Sequence, residues 1–182
     1  MTSVTTLPFG RPLTRADLAS MPDDGHRYEL IDGVLIVSPG PRYAHQDVVG
    51  QLHLLLAQHC PAHLKVLLAP FAVALADDTE VQPDLLVAPC TQFTETELPG
   101  PPLLAVEVLS PSTRRVDLLL KRDRLQAAGV PSYWLVDPDE PSITVLELQD
   151  GVYVEVARAV GDEPCAVAQP YAVTVVPTLL RD

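Results

Sequence analysis

The stretch Leu103–Leu109, with the sequence LLAVEVL, is the most continuous apolar run of the chain and contains one acid, Glu107. A short aliphatic run of this kind is typical of a strand buried on both faces. An ionised carboxylate is costly to bury there unless a metal ion, a cation or several hydrogen bonds compensate its charge. Glu107 is therefore either half of a structural salt bridge or a metal ligand.

A second acid lies at the beginning of the preceding apolar strand. Asp84 follows Gln82-Pro83 directly and opens the predicted strand Asp84–Ala88. Two carboxylates on neighbouring strands would supply the oxygen ligands that a hard divalent cation requires, with positions left for water and substrate. We therefore expect Asp84 and Glu107 to bind the same metal ion.

Turn signals and hydrophobic periodicity predict the elements around these strands. Asp32-Gly33 predicts a tight hairpin between two β-prone runs, 27–31 and 34–38. Helical spacing predicts one helix over about 43–60 and another over 114–128, after a Ser-Pro-Ser-Thr turn and before Gly129. Further predictions are a short helix at 13–18, strands at 64–68, 71–75, 132–136, 143–148, 152–156 and 171–176, a polar connection at 76–82 and a loop at 89–102.

This order of elements predicts an α/β fold. The expected core is a mixed β-sheet flanked by helices, with additional β-hairpins toward the N- and C-terminal ends. Because 182 residues suit one domain and no repeat or linker interrupts them, we predict a single domain over 1–182.

The charge balance limits the partners. With 24 acidic and 12 basic residues the net charge is −12, which excludes a broad basic patch that holds phosphates by counterion release. Contact with phosphate through a bound metal is still allowed. Five basic residues nevertheless lie within 114–124, so this helix is either a local phosphate-facing surface or an ordinary exposed face; they are Arg114, Arg115, Lys121, Arg122 and Arg124.

The N-terminal segment, the hydropathy of the chain and its cysteines indicate where in the cell the protein is located. Met1–Phe9 has neither the basic start nor the apolar stretch of a signal peptide, and no apolar window is long enough to span a membrane. The three cysteines are dispersed without a CxxC pair, as expected for free thiols in a reducing compartment. We expect a cytoplasmic protein that does not enter the membrane.

Four of the five histidines fall in or just after the first long predicted helix. Pro61 separates His59 from His63, and His53 is two turns from His45, so their spacing does not favour a shared ion. A solvated or dimer-facing helix surface explains them better, although His45 could point toward a site at the helix start. A homodimer is expected.

The ordered motifs resemble a known superfamily. Pro83-Asp84, then Glu107, then a helix with Lys121 resembles the PD-(D/E)xK nucleases and, more narrowly, the Uma family of bacterial restriction-endonuclease-like proteins. The resemblance covers about residues 13–148. Its motifs are YELIDG at 28–33, QPD at 82–84, VEVLSPST at 106–113, Asp117 with Lys121, GV at 129–130 and YWLVDP at 133–138.

The resemblance implies a restriction-endonuclease-like core in which Asp84 and Glu107 bind Mg²⁺ or Mn²⁺. Glu29 matches the family's glutamate in the YELIDG motif and would lie near the site as a third carboxylate. The superfamily's usual lysine lies two residues after the glutamate, where this chain has Leu109. Lys121 is the matching residue from the following helix. Its pairing with Asp117 has a plain alternative, a surface salt bridge.

The resulting expectation is a metal-dependent endonuclease that hydrolyses phosphodiester bonds of DNA. In this interpretation Lys121 assists the attacking water, and Glu29 helps to position water or a second ion. One alternative is a catalytically inactive nuclease-fold module with a binding or regulatory role. Another is a metal-dependent hydrolase that acts on a different phosphoester.

Overall fold

Thirteen strands lie within residues 8–181, which are the residues that the computed structural model describes. In chain order they are β1 (Arg27–Ile31), β2 (Val34–Ser38), β3 (Leu64–Leu68), β4 (Ala72–Ala76), β5 (Thr79–Val81), β6 (Leu85–Pro89), β7 (Glu97–Pro99), β8 (Leu104–Val108), β9 (Ser132–Asp137), β10 (Ser142–Gln149), β11 (Val152–Val160), β12 (Cys165–Val167) and β13 (Val173–Val175). The α-helices are α1 (Arg15–Leu18), α2 (Tyr43–His59) and α3 (Arg122–Ala127). A π-helical segment, Val116–Lys121, runs directly into α3, and 3₁₀ turns lie at Cys90–Gln92 and Pro177–Leu180.

The central sheet has six strands in the order β11-β10-β9-β8-β6-β3. Only the β8–β9 pair is parallel, and the other neighbours are antiparallel, so the sheet is mixed. One face is covered by α2, whose Val48, Leu52 and Leu56 repeat every four residues and pack with Val106 and Trp134. The predicted α/β fold with a mixed sheet and flanking helices is confirmed.

The opposite face of the central sheet meets a second layer. This layer is a five-stranded sheet in the order β2-β1-β5-β4-β7, together with α3. Val73 and Val81 of the second sheet share one apolar cluster with Ala105 of the central sheet and Leu125 of α3. The candidate site residues lie between these layers.

Two strands of the second sheet differ from the sequence prediction. β5 lies in the predicted polar connection, and β7 lies in the predicted loop. Each has only three residues, and β5 is held by antiparallel pairing with both β1 and β4. Such strands exist because of their tertiary neighbours, so local periodicity does not reveal them.

The predicted N-terminal hairpin is present and fixes the register of β1. Asp32 and Gly33 have φ values of 52° and 74°, the two positive angles of a type I′ turn. A Cβ at Gly33 would lie 2.5 Å from the side chain of Pro12, so a larger residue would also clash there. The C-terminal hairpin turns in the same way at Asp150-Gly151, and its second strand runs on to Val160, beyond the predicted end at 156.

The predicted helix over 114–128 is helical, but its first half is π-helical. Asp117 and Lys121 lie in the π-helical segment, and Leu125 follows four residues later in α3; all three are buried. The hydroxyl of Tyr133 donates a hydrogen bond to the Asp117 carbonyl oxygen, at 2.9 Å. π-Helical turns are frequent at functional sites. This one directs two charged side chains into the interior.

The expected location rests on two features, the sequence of the Met1–Phe9 segment and the lack of a membrane-spanning stretch. Of the Met1–Phe9 segment, residues 1–7 lie outside the described residues. Between residues 8 and 181, no helix combines the length and the apolar character needed to cross a membrane. The three cysteines at 60, 90 and 165 are free thiols.

Asp137, at the end of β9, ties the start of the helical region to the central sheet. Its Oδ2 accepts a hydrogen bond from the guanidinium of Arg114, and its Oδ1 accepts from the backbone N–H groups of Asp139 and Glu140. Burial alone would raise the pKa of Asp137, but these donors outweigh it and lower the pKa below its usual value.

We expect Asp137→Asn to lower the free energy of unfolding by about 1–2 kcal/mol at pH 7, because a charged acceptor is lost. The folded-state pKa lies below the unfolded one, so the carboxylate stabilises the fold above about pH 4 and this contribution is lost as pH falls through the folded pKa. Denaturant unfolding should therefore show a smaller difference from wild type at pH 3 than at pH 7. Asp139→Asn is the control, and a pH-independent loss in Asp137→Asn would contradict the prediction.

Candidate active site

Strands β6 and β8 place Asp84 and Glu107 side by side. Leu85 pairs with Val106, and continuing this antiparallel register by one residue sets Asp84 opposite Glu107. Directly opposed residues share one face of a sheet. Asp84 Oδ2 also accepts a hydrogen bond from the backbone N–H of Val108 at 2.9 Å. Both acids are buried, with 3% and 0% of their surface exposed.

Lys121 lies among three carboxylates. Its Nζ is 2.8 Å from Glu107 Oε1, 2.9 Å from Glu29 Oε1 and 3.6 Å from Asp117 Oδ1. All four side chains are 1% exposed, so the Asp117–Lys121 pair is no surface salt bridge. Burial acts to lower the pKa of Lys121, but the carboxylates, led by Glu107, raise it above its usual value. Lys121 is therefore a protonated, fixed cation.

The cluster has more acidic groups than cations, with Glu29, Asp84, Glu107 and Asp117 beside Arg27 and Lys121. Glu107 Oε2 and both Asp117 carboxylate oxygens are buried and have no hydrogen-bond partner in the described part of the chain. Burial raises the pKa of Glu107 well above its usual value and raises that of Asp117, despite the opposing charge of Lys121. An uncompensated buried carboxylate is costly. Additional positive charge would relieve this cost.

Arg27 and His45 complete the cluster around Asp84. Arg27 Nη1 is 2.8 Å from Asp84 Oδ1, and His45 Nε2 is 3.0 Å from Asp84 Oδ2. Burial acts to raise the pKa of Asp84, but the hydrogen bond with His45 and the charge of Arg27 hold it well below its usual range. Arg27 Nε also lies 3.7 Å from Glu29 Oε2.

Of these two residues, sequence reasoning considered His45 and missed Arg27. The available signal was strand alternation, because residues two apart on a strand point to the same face. Arg27 and Glu29 are such a pair on β1. The assignment of Glu29 to the site therefore also implied the position of Arg27.

The segment before β6 connects the two layers at this point. The backbone N–H of Gln82 donates to Glu29 Oε1 at 2.7 Å, and the Gln82 carbonyl accepts from Arg27 at 3.4 Å. Pro83 then leads into Asp84. The QPD motif thus supports both the carboxylate on β1 and the acid at the start of β6.

A cleft of about 960 Å³ opens onto one side of the cluster. Asp84, Arg27 and His45 contribute to its wall, together with the 39–42 segment before α2 and residues of the 110–113 turn. Among the described residues that line it, Glu29, Glu107 and Lys121 do not occur. A molecule in the cleft would therefore meet Asp84 and Arg27 first.

The basic stretch over 114–124 does not form one uncompensated surface. Arg114 pairs with Asp137, Arg124 lies 3.1 Å from Asp32, and Lys121 is buried among the carboxylates. Three of its five cations are thus matched by acids.

The donor atoms of Asp84 and Glu107 have the chemistry that a hard divalent cation prefers, although Arg27 contacts one of them. Within residues 8–181, no group of three or more His, Cys, Asp and Glu side chains is arranged to hold a metal ion. Asp84 and Glu107 offer carboxylate oxygens, the ligands that Mg²⁺ and Mn²⁺ prefer, and Glu107 Oε2 lacks a partner. Asp84 Oδ1 already contacts the Arg27 guanidinium, so an ion would bind this oxygen only after Arg27 moves.

Comparison with known proteins agrees with the fold. A family model described as "Putative restriction endonuclease" matches residues 15–170. Among solved structures, the crystal structure of a putative nuclease belonging to DUF820 from Anabaena variabilis ATCC 29413 matches with a TM-score of 0.73 and 21% sequence identity. The match covers 93% of this chain and 97% of that one, which shows a shared fold. No curated protein matches the chain.

Proposed function

The chain belongs to the Uma2 family, and from this premise we propose that it is a metal-dependent endonuclease that hydrolyses phosphodiester bonds of DNA. The surplus of buried acidic groups over cations, with three carboxyl oxygens that lack a hydrogen-bond partner among the described residues, is the observation that carries the proposal. A purely structural salt bridge needs one acid for each cation. Here four buried acids surround two permanently charged cations; the acids are Glu29, Asp84, Glu107 and Asp117, and the cations are Arg27 and Lys121.

Asp84 and Glu107 would hold Mg²⁺ or Mn²⁺ in this proposal, with Glu29 as a third carboxylate close by. When bound, the ion polarises the scissile phosphate and lowers the pKa of a coordinated water. The chain's own residues provide the positions of these groups. The N–H of Val108 and the ring of His45 orient the carboxylate of Asp84, and Lys121 orients that of Glu107.

Lys121 would act as a donor and a positive charge. Its raised pKa keeps the ammonium protonated at neutral pH, so it does not serve as the base that accepts the water's proton. An ammonium has three hydrogens, and the close contacts with Glu107 and Glu29 leave one of them for a further acceptor. Because Lys121 is buried and does not line the cleft, that acceptor would be a water or a phosphate oxygen that enters the cluster beside Asp84. Lys121 would therefore orient the attacking water or stabilise the negative charge that develops on the phosphate.

DNA is the proposed substrate, and the cleft beside Asp84 is its proposed binding groove. A net charge of −12 opposes long-range attraction to DNA, so affinity would depend on contacts inside the cleft and on the metal. We also propose a cytoplasmic location, which suits the free thiols of the described residues, and a homodimer.

A second candidate is an inactive nuclease-fold module with a binding or regulatory role. The observation that favours it is the internal pairing of the site, because Arg27 already neutralises Asp84 and Lys121 neutralises Glu107. Such a module would need no metal ion for its stability.

Cleavage of DNA by the purified protein separates the two candidates. We expect nicked or linear products from plasmid, linear or branched DNA with Mn²⁺ or Mg²⁺, and none with EDTA. RNA and simple phosphoesters in parallel reactions define the substrate class. Intact DNA under every metal condition would favour the inactive module, and cleavage of only a simple phosphoester would replace the nuclease with another hydrolase.

A further inference from the structure

The two cations of the cluster differ in how firmly they are held. Lys121 is 1% exposed and lies among three carboxylates. The side chain of Arg27 is 19% exposed and lines the cleft, and it lies 2.8 Å from Asp84 Oδ1 and 3.7 Å from Glu29 Oε2. Arg27 therefore has open space beside it, whereas Lys121 does not.

The position of the Arg27 guanidinium coincides with a position that a metal ion would need. Asp84 Oδ2 already accepts from Val108 N–H and contacts the ring of His45, which leaves Oδ1 as the oxygen that faces a cation. A guanidinium at 2.8 Å from Oδ1 and a divalent ion on the same oxygen would repel each other strongly at such short range.

We propose that Arg27 is the resident cation of the metal-free site, and that it leaves Asp84 and turns into the cleft when a divalent ion binds. This inference rests on the proposed function. In the metal-free protein Arg27 compensates the charge of Asp84 and part of that of Glu29. Once displaced, its planar guanidinium faces the groove, where it is suited to two parallel hydrogen bonds with a substrate phosphate.

The ion must compete with Arg27 for Asp84, and the free-energy cost of displacing Arg27 lowers the metal affinity of the wild-type protein. Removal of the guanidinium should therefore tighten metal binding. Arg15 provides a matched control, since it lines the same cleft and also pairs with two carboxylates, those of Glu80 and Glu97, but does not contact Asp84.

The test is a calorimetric titration of the metal-free full chain with Mn²⁺. We expect Arg27→Gln to bind Mn²⁺ at least about tenfold more tightly than wild type, a difference of about 1.4 kcal/mol. The Mn²⁺ affinity of Arg15→Gln should stay within about twofold of the wild-type affinity, well below the tenfold change expected for Arg27→Gln. Arg27→Met keeps an apolar stem, and we expect it to bind Mn²⁺ as tightly as Arg27→Gln does. It replaces Arg27→Gln in the test if circular dichroism shows that Arg27→Gln is unfolded.

A crystal structure of the Mn²⁺-bound wild-type protein distinguishes displacement from a general effect of charge. We expect the Arg27 guanidinium beyond about 4 Å from Asp84 Oδ1, outside ion-pair distance. A retained contact overturns the inference, as does unchanged or weaker Mn²⁺ affinity in the folded Arg27 variants while wild type still binds. Absence of Mn²⁺ binding in wild type and all variants overturns the proposed function together with this inference.

Discussion

Replacement of Glu107 by glutamine is expected to reduce DNA cleavage by roughly a thousandfold or more, because a bound metal contributes several kcal/mol and each 1.4 kcal/mol is a factor of ten. Glutamine keeps the size of the side chain and an oxygen that can accept from Lys121. It removes the charge that would bind the ion. Single-turnover cleavage with saturating DNA measures the effect without a contribution from product release.

Glu97→Gln is the matched control for this variant. Glu97 also lines the cleft and pairs with an arginine, Arg15, but it makes no contact with the Asp84–Glu107 pair. We expect its cleavage rate to stay close to that of wild type. Equal losses in both variants would indicate a general effect of charge in the cleft, and an active Glu107→Gln enzyme would remove Glu107 from the metal site.

Substitution of Lys121 by methionine is expected to separate metal binding from catalysis. Loss of a group that stabilises developing charge should slow cleavage by about 10²–10³-fold. Mn²⁺ affinity should be retained or increased, because Glu29, Glu107 and Asp117 lose their shared cation while no ligand is removed. Mn²⁺ titration and cleavage measured on the same preparation test both parts.

The Lys121→Met substitution is also expected to change the thermal stability of the protein. Removal of one partner from a buried ion pair typically costs about 3–5 kcal/mol. We therefore expect a lower melting temperature for metal-free Lys121→Met and a larger rise on addition of Mn²⁺ than in wild type. Arg122→Met is the control, since Arg122 is adjacent in the chain but only half-buried. Loss of Mn²⁺ binding together with activity in Lys121→Met would indicate a structural role, and unchanged cleavage would remove Lys121 from the mechanism.

Parts of this arrangement follow from local sequence. The Asp-Gly turn determines the type I′ hairpin, and strand alternation then sets which face of β1 carries Glu29. The apolar runs around Asp84 and Glu107 predict adjacent strands, although only the structure gives their register. The Ser-Pro-Ser-Thr turn and Gly129 bracket the helical region that contains Lys121.

Other parts depend on contacts between distant segments. The strands β5 and β7 are stable through their neighbours, and they create the second layer that buries Glu29 against Lys121. The π-helical segment has no signature in residue periodicity. The contact of Arg27 with Asp84 joins residues 57 positions apart, and no local pattern specifies which acid a given arginine meets.

The central claim is that Asp84 and Glu107 together hold a divalent cation, and the anomalous scattering of Mn²⁺ in crystals of the wild-type protein tests it most directly. We predict an anomalous peak bonded to a carboxylate oxygen of each residue, at about 2.0–2.6 Å, the range for hard cations and oxygen. A protein with Mn²⁺ bound elsewhere, or with no Mn²⁺ between these two carboxylates at saturating concentration, would contradict the account.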